Sequence, residues 1–261
     1  MNRIDNLFSN NKKSQLLSVY FTAGYPSLDR TEEIITTLDR KGADMIEIGI
    51  PFSDPMADGK VIQQSSTVAL KNGMSLRVLF SQLKDIRKKT QIPLLLMGYL
   101  NPIMHFGFEE FCSECEKAGI DGLIIPDLPV KQYMEQYQQI IRNHGLKLTM
   151  LITPETSEER IRMIDKETDG FVYMVSTAST TGTQDSFGED TKAYFRRIAE
   201  MNLSNPRMIG FGISNTQTFA LANEYAHGAI IGSLFIKLLG SCATTEEAVD
   251  KLIEKVGYKK A

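Results

Sequence analysis

Tryptophan is absent from this 261-residue chain, and cysteine and histidine are limited to three residues each. Cys112, Cys115 and Cys242 are too sparse, and odd in number, to suggest a disulfide framework. Cys112 and Cys115 form a lone CxxC within FEEFCSECEKAG, a segment with helical patterning. Zinc would need two further ligands, and none recurs at suitable spacing. His105, His144 and His227 are scattered, so no histidine-based metal site is expected. No apolar run reaches the ~18 residues of a membrane span, and the opening MNRIDNLFSNNKKS lacks the apolar core of a signal peptide. The cytoplasm is the expected location, with no membrane partner. A formal charge of −3, without a basic stripe, also argues against a nucleic-acid partner.

What is present is an ordinary globular composition, with 42% hydrophobic and 23% charged residues, which excludes a disordered chain. The length suits one α/β barrel of ~250 residues. Short apolar runs alternate with longer amphipathic ones. Strands are predicted at Leu17–Thr22, Met45–Gly49, Pro93–Met97, Gly122–Ile125, Lys147–Leu151, Phe171–Val175, Arg207–Phe211 and Gly228–Ile231. Helices are predicted at Thr31–Lys41, Ser75–Thr90, Phe108–Ala118, Val130–His144, Ser157–Glu167, Asp190–Met201 and Asn215–Ala222, then from about Ser233 and again from Thr245. In the clearest of these, Val130, Tyr133, Met134, Tyr137, Ile140 and Ile141 recur at helical spacing. Buried parallel strands separated by helices predict an α/β fold: a single-domain (β/α)8 TIM barrel spanning residues 1–261. A doubly wound sheet is the rival, but the first turn, Thr22-Ala23-Gly24-Tyr25-Pro26, does not fit a glycine-rich dinucleotide loop.

Barrel chemistry sits at the C-terminal ends of the strands. The second strand leads into Glu47-Ile48-Gly49-Ile50-Pro51-Phe52-Ser53-Asp54-Pro55-Met56-Ala57-Asp58-Gly59. Glu47 interrupts an apolar run, where an ionised carboxylate is costly to bury. Ile46 and Ile48 point the other way, so Glu47 should face the barrel interior with a raised pKa suited to proton transfer. The following loop can bring Asp54 or Asp58 over the mouth. On the residues alone, Glu47 could instead be a structural acid paired with a base, and the two aspartates turn formers. Glycines cluster after the last strands, at Thr181-Gly182, Gly210-Phe211-Gly212 and Gly232-Ser233, where backbone N–H groups and a helix N-terminus favour a phosphate. A Schiff-base lysine is not expected: Lys60 lies in the loop and Lys147 begins its strand at the wrong end.

The block Glu47–Gly59 closely resembles the signature of tryptophan synthase α subunits. The resemblance continues in Met97-Gly98-Tyr99-Leu100-Asn101-Pro102, Pro126-Asp127-Leu128-Pro129, Ser179-Thr180-Thr181-Gly182, Gly210-Phe211-Gly212-Ile213-Ser214 and Gly228-Ala229-Ile230-Ile231-Gly232-Ser233. It implies retro-aldol cleavage of indole-3-glycerol phosphate to indole and glyceraldehyde 3-phosphate. By that resemblance, Glu47 is the acid/base and Asp58 the carboxylate at the indole N–H. Tyr173 lines the site near Glu47, and Tyr20, Leu100, Ile152 and Phe211 form the apolar pocket. Gly182, Gly212, Gly232 and Ser233 hold phosphate, and Thr181 contacts Asp58 on loop closure. The resemblance also implies no cofactor in this chain and an α2β2 complex with a pyridoxal-phosphate β subunit, faced by Met56 and Asn101-Pro102-Ile103.

The sequence departs from the family pattern at Lys60, Tyr25 and Thr177, where proline, aspartate and arginine are common. Two alternatives stand beside this reading: a non-catalytic activator of the β subunit, or another phosphate-binding barrel lyase or isomerase.

Overall fold

Eight short parallel strands close on themselves in the order β1 to β8, each hydrogen-bonded to its sequence neighbours and β8 to β1. They are β1 (Leu16–Thr22), β2 (Met45–Gly49), β3 (Leu94–Met97), β4 (Gly122–Ile124), β5 (Lys147–Ile152), β6 (Val172–Val175), β7 (Arg207–Gly210) and β8 (Gly228–Ile231). The computed structural model describes residues 2–10, 15–176 and 186–259. The expected (β/α)8 barrel is the observed one.

The strands are buried on both faces because alternate side chains serve two apolar layers. Leu17, Val19 and Phe21 of β1 and Ile46 and Ile48 of β2 pack outward against the helices. Leu16, Met45, Leu95, Ile124, Phe171, Tyr173, Met208 and Ile230 fill the barrel itself. The outer ring begins with α2 (Thr31–Arg40), α3 (Lys60–Lys71), α4 (Leu76–Leu83), α5 (Leu100–Phe106) and α6 (Phe108–Ala118). It continues with α7 (Val130–Gln132), a π-helical turn at Tyr133–Tyr137, α8 (Gln138–Asn143), α9 (Glu158–Glu167), α10 (Glu189–Glu200), α11 (Thr216–Tyr225), α12 (Ser233–Ser241) and α13 (Thr245–Val256).

A further helix, α1 (Arg3–Asn10), closes the N-terminal end of the barrel. Ile4, fully buried, belongs to the interior cluster, with Leu7 and Phe8 packed beside it. Phe8 lies 5.9 Å from the Phe171 ring. Gly122 makes room for this helix, since a β-carbon there would stand 2.9 Å from Ile4 Cδ1. Asp121 anchors it, accepting from Arg3 Nη1 (3.0 Å), Arg87 Nη2 (2.6 Å) and the Leu94 N–H (2.9 Å). A nearly buried carboxylate is tolerable here because two guanidinium groups and a backbone N–H satisfy it.

Four local features differ from the sequence expectation. The Val130–His144 helix contains the π turn, which shifts the helical phase and leaves Met134 44% exposed while Tyr133 and Tyr137 stay buried. The Ser75–Thr90 helix is α4, capped by Ser75, followed by a separate 3₁₀ turn at Ile86–Lys88. Helices α1, α3 and α5 stand where the sequence pattern suggested none, and Lys60 begins α3 rather than lying in the loop before it. Ile103 is 1% exposed on α5, so it packs into the core and does not face outward.

Candidate active site

Strand alternation brings Ser18 and Tyr20 of β1, Glu47 and Gly49 of β2, and Tyr173 of β6 to the inner face of the barrel. Glu47 is fully buried. Oε1 accepts a hydrogen bond from Ser18 Oγ at 2.9 Å, and among the described residues Oε2 has no partner. Among the described residues no basic side chain pairs with it, so the ion-pair reading finds no support there. Burial pushes the Glu47 carboxyl up to about 8, against the Ser18 hydrogen bond that lowers it. Lys147, the one barrel-strand lysine considered for Schiff-base chemistry, is ion-paired with Asp5 at 3.1 Å at the opposite end.

Asp58 sits half-buried in the loop between β2 and α3, two residues before the helix begins. Its N–H donates to the Pro55 carbonyl (3.1 Å), and its own carbonyl accepts from Gln63 Nε2 (2.8 Å). The Tyr99 hydroxyl accepts from the Ala57 N–H (2.9 Å) and also meets the Asp58 carboxylate. Burial raises Asp58 to about 6, and the Tyr99 hydroxyl opposes that rise. Asp54, by contrast, is exposed and held by Ser53 Oγ within the same loop. Of the two aspartates, only Asp58 is drawn to the site.

The phenols of Tyr20 and Tyr173 are pushed upward, first by burial and then by the charges of Asp58 and Glu47. Both therefore remain neutral around the two carboxyl groups. Glycine makes space for each. A β-carbon on Gly49 would stand 2.1 Å from Tyr20 Oη, and one on Gly210 would stand 2.2 Å from Tyr173 Oη. Phe211 packs edge-on to Tyr173 at 6.2 Å.

Beyond β7 the chain turns through Phe211 (φ +68°) and Gly212 (φ +74°). Glycine adopts that conformation freely, whereas for phenylalanine it costs on the order of 1–3 kcal/mol. Ser176 Oγ, donating to the Phe211 carbonyl at 2.7 Å, helps hold the turn. After β8, Gly232 caps α12 and Ser233 is its first residue. No side chain caps this N-terminus, so its first-turn N–H groups remain suited to an anion.

Two residues expected at the pocket pack with the outer layer, and neighbours of theirs pack with the interior cluster. Ile152 belongs to the outer layer, fully buried against the helices, while Leu151 packs with the interior cluster. A one-residue step along a strand reverses the face. Leu100 begins α5 beyond the end of β3, its N–H donating to Asp127 Oδ1 (2.8 Å), whereas Met97, the last residue of β3, packs with the interior cluster alongside Leu95. Thr181 and Gly182, with Thr177, lie outside the described residues. Met56 is 89% exposed on the loop carrying Asp58; Asn101 is exposed and Pro102 half-buried. Nothing was expected of Ser18 from the sequence, although a small polar residue inside the apolar run LLSVYF is the same kind of signal as Glu47.

Cys112 and Cys115 are both buried within α6, and burial raises both thiols, as expected of packing residues and not of reactive ones. Among the described residues, no group of three histidine, cysteine or acidic side chains is placed to hold a metal ion, and no helix is long and apolar enough to cross a membrane.

Comparison with known proteins places this geometry in context. The family model described as tryptophan synthase alpha chain matches residues 7–261. The tryptophan synthase alpha chain of Parabacteroides distasonis is 62% identical over 254 residues, covering 97% of this chain and 98% of the relative. That of Christiangramia forsetii is 55% identical over 256 residues, covering 98% of each. Among solved structures, the alpha chain from Legionella pneumophila aligns with a TM-score of 0.85 at 32% identity, over 98% of this chain and 96% of that one. A chain of the tryptophan synthase complex from Pyrococcus furiosus aligns with a TM-score of 0.84 at 36% identity, over 94% and 98%.

Proposed function

The chain belongs to the tryptophan synthase alpha chain family, whose reaction is cleavage of indole-3-glycerol phosphate to indole and glyceraldehyde 3-phosphate, and we propose that Glu47 and Asp58 carry that reaction here. The observation that supports this assignment most directly is Glu47 itself: a fully buried carboxyl on the inner face of the barrel, held by one oxygen and open at the other.

The chemistry follows from the two carboxyl groups having different proton affinities. Carbon 3 of the indole must be protonated before it can leave. Glu47, pushed up to about 8, is protonated at neutral pH and can donate there. The resulting carboxylate then takes the proton from the glycerol hydroxyl as the carbon–carbon bond breaks, which returns Glu47 to its starting state. Asp58, at about 6, is ionised at neutral pH. Placed at the indole N–H, it stabilises the positive charge that the protonated ring carries. Tyr20, Tyr173, Phe211, Leu151 and Met97 supply the aromatic and apolar wall for the ring. The phosphate is read onto Gly212, Gly232 and Ser233, where the turn after β7 and the N-terminus of α12 meet, with Gly182 and Thr181 assigned by family pattern alone.

The reaction needs only protein groups, so no cofactor is assigned to this chain. The partner is the tryptophan synthase β subunit, in an α2β2 assembly, with pyridoxal phosphate in that subunit. Met56, Asn101 and Pro102 are the residues read as facing it.

Indole release from indole-3-glycerol phosphate by the purified chain, with and without a β subunit, tests the reading. Release that increases when the β subunit is added is the expected result. A folded chain that releases no indole under either condition would overturn the catalytic assignment and leave a non-catalytic activator.

A further inference from the structure

We propose that Ser18 is a positioning residue for proton transfer: its hydroxyl holds Oε1 of Glu47, so that Oε2 is the oxygen that carries the proton to and from the substrate. The proposal rests on the assignment of Glu47 as the acid/base.

Ser18 is fully buried in the middle of β1, with Leu17 and Val19 directed into the outer layer on either side. The parallel register sets Ser18 beside Met45 and Tyr20 beside Glu47, so the Glu47 side chain lies against the inner face of β1. There Ser18 Oγ donates to Oε1 at 2.9 Å. It is the sole hydrogen-bond partner of that carboxyl among the described residues, and Oε2 is buried without one. The two oxygens are therefore inequivalent. While Ser18 donates to Oε1, a proton on Glu47 resides on Oε2. When Oε2 passes it to carbon 3, the negative charge left on the carboxylate is stabilised through Oε1, and Oε2 then takes the glycerol hydroxyl proton. One proton leaves and one returns, at the same atom.

This arrangement also moderates the acid. Burial alone favours the protonated form, which would make Glu47 a reluctant donor. A hydrogen bond delivered to the ionised form works in the opposite direction. Ser18 thus fixes both the direction of the carboxyl group and its readiness to release the proton. It touches Glu47 and not the reacting atoms.

The test compares Ser18→Ala, Ser18→Thr and Glu47→Gln in the full chain with its β subunit, following indole release from indole-3-glycerol phosphate across pH. Ser18→Ala is expected to lower kcat by roughly 10-fold, leave KM within about 2-fold, and move the alkaline limb upward by on the order of one pH unit. Ser18→Thr, which keeps the hydroxyl, is expected to restore the position of that limb. A folded Ser18→Ala enzyme with wild-type kcat and an unmoved limb would overturn the proposal, as would equal displacement of the limb in Ser18→Ala and Ser18→Thr. Should Ser18→Ala fail to fold, Ser18→Cys decides: its thiol is a weaker donor and is expected to move the limb upward part of the way, and a folded Ser18→Cys enzyme with an unmoved limb would overturn the proposal. Glu47→Gln separates the two levels: if it stays active, the acid/base assignment itself is wrong, whereas an inactive Glu47→Gln with an unperturbed Ser18→Ala defeats only the role of Ser18.

Discussion

Tyr173 Oη occupies the space in which residue 210 would place a side chain: a β-carbon on Gly210 would lie 2.2 Å from that oxygen and 2.5 Å from two ring carbons. The ring is buried and packs against Phe171 and Phe211. Gly210→Ala is therefore expected to displace Tyr173 at a cost of roughly 1–3 kcal/mol in stability, with a larger loss of indole release than that cost implies. Gly49→Ala should behave alike through Tyr20. Thermal unfolding and kcat measured together would check both, and wild-type values in either variant would contradict the packing described.

The pH dependence of cleavage should be bell-shaped. In the proposed mechanism activity requires Asp58 ionised, so it rises as pH passes about 6. It also requires Glu47 protonated, so it declines as pH passes about 8. Asp58→Asn is expected to remove the acidic limb and lower kcat by about 100-fold or more, as when a transition-state charge loses its stabilising partner. The measurement is a kcat profile for each enzyme with saturating substrate.

Glu47 should make the fold weaker in alkali. In the folded chain it keeps its proton up to about 8, whereas the unfolded chain releases it near the ordinary 4.5. Between those values the folded state binds the extra proton. This residue's contribution to stability therefore falls as pH rises through that window, and the deficit is complete above about 8. Glu47→Gln abolishes the titration. Its melting temperature relative to wild type is expected to rise from pH 5 to about pH 8 and to level off above it, while activity is lost. A constant difference across that range would show that Glu47 does not titrate abnormally.

Met56 offers a test of the proposed partner surface. It is 89% exposed on the loop that also carries Asp58. Met56→Lys is expected to leave unfolding unchanged and to weaken β-subunit binding by about 10-fold or more, the loss typical of an apolar anchor at an interface. Titration of the activity gain against β-subunit concentration measures it.

The barrel was legible because buried parallel strands write themselves as short apolar runs, and eight of them appear at regular intervals. Glu47 was legible for the same reason, as an acid inside one of those runs. Helices α3 and α5 were not. In α3, Gln63, Gln64, Ser65, Ser66 and Thr67 dilute the apolar stripe. In α5, Pro102 reads as a breaker, although in the first helical turn proline removes only an N–H that has no intrahelical acceptor. Two residues expected at the pocket pack with the outer layer, Ile152 and Leu100, while Leu151 and Met97 pack with the interior cluster. Family pattern transfers a position, but only the pleat decides which neighbour faces in.

Helix α1 and its anchor on Asp121 have a consequence for catalysis at the other end of the molecule. Ile4 and Phe8 stop the barrel as a cork stops a pipe, beneath the apolar column that fills it. A chain shortened past Asn10 would keep every side chain assigned to chemistry, yet admit water from below. Glu47 would then ionise closer to the ordinary carboxylate range, and the proposed general acid would have become a spectator anion.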